Sequence, residues 1–162
     1  AQLPLFQEGV AAGRRAASID TNSTEALLWT MANLGRTAEL KGILNAVGVA
    51  KEVRRLIDRM LAIDPNFVAA LQAKANYYWE MPRLLGGNTD VSVRCLEKAL
   101  TLKPRDASLW RDLARIRRAR GEKAAAMECL RKVLELNLDD PEYRIEIRPE
   151  AEHLAREWGA GR

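Results

Sequence analysis

The chain carries one histidine, His153, and two cysteines, Cys95 and Cys129, in 162 residues. A single imidazole excludes histidine-cluster metal sites and a histidine-based catalytic triad. No catalytic residue, metal or cofactor is therefore expected. No apolar run approaches the ~20 residues a membrane-spanning helix needs. Aromatic residues make up only 6%, and β-branched residues are sparse. Charge is nearly balanced: 26 basic against 22 acidic residues leave a net +4. That bias admits anionic ligands without demanding nucleic acid. Ten glycines and six prolines cluster at a few points, and the stretches between them are free of both.

What remains favours helix. Ala, Leu, Arg and Glu dominate, and these are strong helix formers. Hydrophobic residues at 48% suffice for a packed core. "MLAIDP" ends at Pro65 and "ALTLKP" at Pro104, 39 residues apart, each closing an amphipathic helix and opening the next. A period of about 34 residues is that of the tetratricopeptide repeat, a helix–turn–helix unit. The third unit fits this frame through Trp110-x-x-Leu113-Ala114, Gly121, and then Ala126, Leu130 and Val133. The second has Leu71, Ala75 and Tyr78, then Leu96, Ala99 and Leu100, with five extra residues around "WEMPRLLGGN". The first is more degenerate.

The pattern predicts an all-α, tetratricopeptide-repeat-like α-solenoid in a single domain spanning 1–162. About three degenerate helix pairs (24–63, 66–102 and 106–136) follow an N-terminal helix. Ala151, Leu154, Ala155 and Trp158 share one face, which predicts a capping helix over 149–158 that starts at Pro149. The expected helices cover 2–19, 24–40, 47–63, 66–80, 88–102, 106–119, 122–136 and 149–158. Pro65 and Pro104 are expected at helix starts, where a missing N–H costs nothing. Asn88 is an expected N-cap, and Asn22-Ser23-Thr24 reads as another N-cap region. Pro82 is expected to end a helix, and Gly86-Gly87 to shape the loop that follows.

In such a repeat the first helices line the concave face. Their outward positions are Trp29, Asn33 and Arg36 in unit one, Gln72, Asn76 and Trp79 in unit two, and Arg111, Arg115 and Arg118 in unit three. None of these nine is acidic. Guanidinium forks suit carboxylates, and indoles supply apolar contact, so a groove of this composition favours an organic acid or an acidic peptide. Arg83 in the long loop joins the candidate site. Against this, arginines on helices commonly form solvated faces, and Arg115 has Asp112 within helical reach. Trp110 and Trp158 read as core. The run 111–123 contains five arginines but no interleaved aromatics for base stacking, so nucleic acid is not an expected partner.

Cys95 and Cys129 fall at equivalent places in units two and three. Stacked repeats separate such points by more than the ~7 Å a disulfide allows, so two separate, largely buried thiols are expected. His153 reads as a surface residue.

"LLWTMANLG", "MLAIDPNF" and "YYWEMPRLLGGNTDVSVRCLEKALTLKP" together resemble the T component of TRAP (tripartite ATP-independent periplasmic) transporters. The resemblance runs over roughly residues 4 to 158. It implies a non-catalytic accessory protein that docks a periplasmic solute-binding subunit and holds a small anionic solute. It also implies a periplasmic location, with lipid anchoring of the precursor, and the opening Ala1–Phe6 fits an end left by cleavage after small residues. The alternative is a general peptide-docking module that recognises a partner's acidic tail, for which a cytoplasmic location serves equally. Terminal faces of a short stack also suit pairing between copies.

Overall fold

The computed structural model describes residues 2–41 and 43–160. Among these residues there are eight α-helices: α1 (Leu3–Ile19), α2 (Thr24–Lys41), α3 (Ile43–Ile63), α4 (Val68–Glu80), α5 (Thr89–Leu102), α6 (Ala107–Ala119), α7 (Lys123–Glu135) and α8 (Arg148–Ala160). A 3-10 turn (Arg83–Leu85) follows α4, and a π-helical segment (Tyr143–Ile147) leads into α8. The chain divides into two compact units between Ala73 and Lys74.

In the first unit α2 packs between α1 and α3. The reason is periodicity: Ala26, Leu27, Thr30, Leu34, Thr37 and Ala38 are buried at helical spacing. The two threonines satisfy their hydroxyls locally, Thr30 donating to the Ala26 carbonyl (2.7 Å) and Thr37 to the Asn33 carbonyl (2.8 Å). Ser23 Oγ accepts from the Ala26 amide (3.1 Å), the N-cap that the sequence predicts. Ile57 and Met60 of α3 are buried as well.

In the second unit α5 packs on α6, α6 on α7, and α7 on α8. Its core is Leu96, Ala99, Leu109, Leu113, Ala114, Ile116, Ala126, Leu130 and Val133. Asn88 caps α5, its Oδ1 accepting from the amides of Asp90 (3.0 Å) and Val91 (3.2 Å). Asp106 caps α6, accepting from Ser108 N (3.1 Å) and Ser108 Oγ (2.7 Å). Ser92 Oγ reaches back to the Ala75 carbonyl at 2.7 Å.

Three expectations are corrected. Pro65 and Pro104 lie in the turns before α4 and α6 rather than at helix starts. The carboxylates of Asp64 and Asp106 hold those turns, Asp64 through the Asn66 amide at 2.8 Å, so the helices start beyond the prolines, at Val68 and Ala107. Pro149 lies inside a helix that starts earlier. Helical backbone runs on from Pro141, and the Tyr143–Ile147 segment is wound one residue wider, Arg148 N–H bonding to the Tyr143 carbonyl. α3 begins at Ile43, ahead of the expected 47.

Candidate functional site

On α2, Trp29 and Arg36 stand seven residues apart on one exposed face, which Ala32 and Leu40 share. The Trp29 side chain is 66% exposed and Leu40 51%. Arg36 pairs with Glu39 at 3.1 Å, both in water. Asn33 turns differently. Its amide donates to the Trp29 carbonyl (2.8 Å), and its side chain packs over Gly9 of α1, where any Cβ would overlap it. The first unit therefore presents the indole and the guanidinium outward and uses the asparagine in the α1–α2 contact. Gln72, also in this unit, is half-buried near the start of α4.

In the second unit, Asn76 and Trp79 are half-buried on α4, and Arg83 is exposed on the 3-10 turn beside Leu84 and Leu85. The loop that holds them is tightly bonded. Gly87 N–H donates to the Pro82 carbonyl (3.0 Å), Asn88 N–H to the Tyr78 carbonyl (3.0 Å), and Gly86 takes the left-handed conformation at φ 98°.

The arginine row of α6 is occupied from within the chain. Glu150 of α8 pairs with Arg115 and lies 3.8 Å from Arg111. Arg111 also binds the buried Asp112 carboxylate through Nε (3.2 Å) and Nη2 (3.1 Å). Arg118 stands over the ring of Trp158, an attractive geometry for a cation on an indole. The expected open arginine trough is thus filled at these three residues by α8. The cause is the capping helix itself: its inward face carries a carboxylate near one end and an indole near the other. The neighbouring arginines serve the packing, Arg117 pairing with Glu97 (2.8 Å) and Arg120 bridging Asp90 and Glu122.

The sequence reading missed Glu150 as a site residue. Its signal was available, because Glu150 sits at the edge of the stripe formed by Ala151, Leu154, Ala155 and Trp158. Trp110 is half-buried and donates its indole N–H to the Pro104 carbonyl (2.9 Å). Trp158 is half-buried too, rather than core. Cys129 is buried and Cys95 half-buried, both as free thiols. His153 is exposed, 3.8 Å from Glu157. No group of three or more metal-ligating side chains occurs among the described residues.

Comparison with known structures settles the architecture. A thermophilic TPR protein of Thermus thermophilus, TTC0263, superposes with a TM-score of 0.72 over 94% of this chain and 75% of its own, at 17% identity. The fold is tetratricopeptide-repeat-like. MamA from Desulfovibrio magneticus RS-1, residues 41 to the end, superposes with a TM-score of 0.64 over 96% of this chain and 82% of its own, at 16% identity. Residues 86–145 match the tetratricopeptide repeat family. Tetratricopeptide repeat protein 7B of Homo sapiens is 29% identical over 115 residues, or 71% of this chain. The matched part spans 12% of that protein's length.

Proposed function

We propose that the chain is a non-catalytic interaction module that docks a partner protein on the outward face of α2. Trp29 carries this reading. It is a large apolar ring left two-thirds in water on a helix whose other face is fully packed. Trp and Arg are the residue types that most often dominate protein–protein binding energy, and here Trp29, Arg36 and Leu40 stand on one face. The test is a photo-crosslinking amino acid placed at position 29, with position 131 as the control, because Arg131 is held by Glu128 and Glu135 on α7. A discrete protein adduct from position 29 and none from position 131 supports the reading. Equal labelling from both, or none from either, contradicts it.

A narrower form of this reading is an accessory subunit of a TRAP-type transporter, located in the periplasm, with a solute-binding subunit as the partner. It rests on the sequence resemblance over "LLWTMANLG" and "YYWEMPRLLGGNTD". Its test is co-purification with a solute-binding subunit of a TRAP-type transporter from the same organism: a stable complex supports this form, and none contradicts it. A small anionic solute, or the acidic tail of a partner, would have to displace Glu150 and Trp158 to reach Arg111, Arg115 and Arg118.

A further inference from the structure

Among the described residues α1 packs mainly on α2, with Arg14 also pairing with Glu52 of α3 at 2.6 Å. Val10, Gly13 and Ala17 are buried on the side that meets α2. On the opposite side Leu5 is 65% exposed and Ile19 87% exposed, with exposed Ala12 midway between them. The three are spaced by seven residues, two helical turns, so they stand in one line along the helix. Glu8 and Arg15 are also seven apart and exposed, and both lie on the same flank of that line. Neither of these side chains has an ion-pair partner among the described residues.

We propose that this face of α1 pairs with the same face of a second copy of the chain, antiparallel, about a two-fold axis at Ala12. Turning one helix end over end about Ala12 sets Leu5 against Ile19 of the partner copy, and Ile19 against the partner copy's Leu5. The two alanines meet at the crossing, where a small side chain lets the backbones come close. An antiparallel two-fold also brings like flanks together. Glu8 of one copy then lies one residue out of register with Arg15 of the other, an offset of about 1.5 Å along the axis that the arginine stem spans. Two symmetric ion pairs close the contact. A two-fold interface must be self-complementary, and this face has that property in both its apolar and its charged residues. A parallel, in-register pair would set Glu8 level with Glu8 and leave all four charges unmatched. One helix crossing buries less than the ~1,200 Å² of a stable interface, so the pair is weak and concentration-dependent.

Sedimentation velocity over a range of concentrations, on the full chain, tests this. The wild type moves from monomer to dimer as concentration rises. Ile19→Asp stays monomeric. Glu8→Arg sets two arginines together and weakens the dimer by about tenfold, the size expected when two exposed ion pairs turn repulsive. The swap Glu8→Arg with Arg15→Glu restores it. Every substituted position is exposed, and circular dichroism confirms that each variant keeps its helix content. A wild-type chain that is monomeric throughout, a dimer indifferent to Ile19→Asp, or a charge swap that fails to rescue overturns the proposal. So does a crosslinker at position 12 that captures a different protein in place of a second copy.

Discussion

The guanidinium of Arg118 lies 5.5 Å from the centroid of the Trp158 indole. Arg118 belongs to the last turn of α6, and the ring comes from α8. With the Glu150 pairs to Arg111 and Arg115, this contact makes α8 the internal counterpart of the arginine row. A double-mutant cycle on Arg118→Ala and Trp158→Ala is predicted to give a coupling of about 0.5–1 kcal/mol. Chemical denaturation of the four proteins measures it.

Removing the internal carboxylate should free the row for an external one. Glu150→Gln combined with Trp158→Ala is predicted to raise affinity for a short polyglutamate peptide at low salt, and added salt should abolish the gain. Fluorescence anisotropy of a labelled peptide checks this. Equal affinity for wild type and double variant contradicts it.

Tyr143 is 1% exposed, and its hydroxyl donates to the Val133 carbonyl at 2.9 Å. Tyr143→Phe removes the shorter of two bonds to that carbonyl, which keeps the Leu136 N–H at 3.3 Å, and should cost about 1 kcal/mol. Tyr143→Ala opens a cavity as well and should cost about 3–5 kcal/mol. Urea unfolding followed by circular dichroism reads both.

The glycines separate by mechanism. A Cβ at Gly87 would overlap the Met81 carbonyl oxygen, so Gly87→Ala must shift backbone and should be the more damaging change in this loop. Gly86→Ala meets open space but keeps φ at 98°, which should cost about 1 kcal/mol. Gly35, within α2, meets nothing within 4 Å, and Gly35→Ala should stabilise by about 0.5–1 kcal/mol. Thermal denaturation ranks the three.

Burial raises the thiol pKa of both cysteines. For Cys95 the positive charges of Lys74, Arg94 and Lys98 pull it part of the way back, and for Cys129 Arg117 does so. A folded-state pKa above the unfolded one leaves stability intact below the ordinary thiol range. Stability is then lost as pH rises from that range toward the folded value, because only the unfolded chain gains by ionising. The prediction is slow iodoacetamide labelling of Cys95, slower labelling of Cys129, and an alkaline loss of stability that Cys129→Ala reduces.

Helix positions were legible because the sequence marks them locally. Asn88 and Ser23 supply the expected caps, Pro82 follows the end of α4, and apolar residues recur at helical spacing; the Asp106 cap of α6 was not read from the sequence. The π-helical entry to α8 was not legible. Pro149 matches a helix start as well as an interior position, and only the preceding wide turn distinguishes them. Periodicity placed Arg111, Arg115 and Arg118 on one face of α6 but carried no information about which later helix would cover it. The repeat frame alone places Asn33 outward. The small Gly9 opposite it lets α1 approach closely enough to take it.

The proposed partner contact rests on the exposed face of α2 and above all on Trp29. The most direct measurement is isothermal titration of the protein captured by the crosslinker at position 29 against wild type and Trp29→Ala. A hot-spot indole contributes about 2 kcal/mol or more, so binding to Trp29→Ala should be weaker by at least about thirtyfold. Affinity unchanged within twofold, with the variant still folded, would contradict the account.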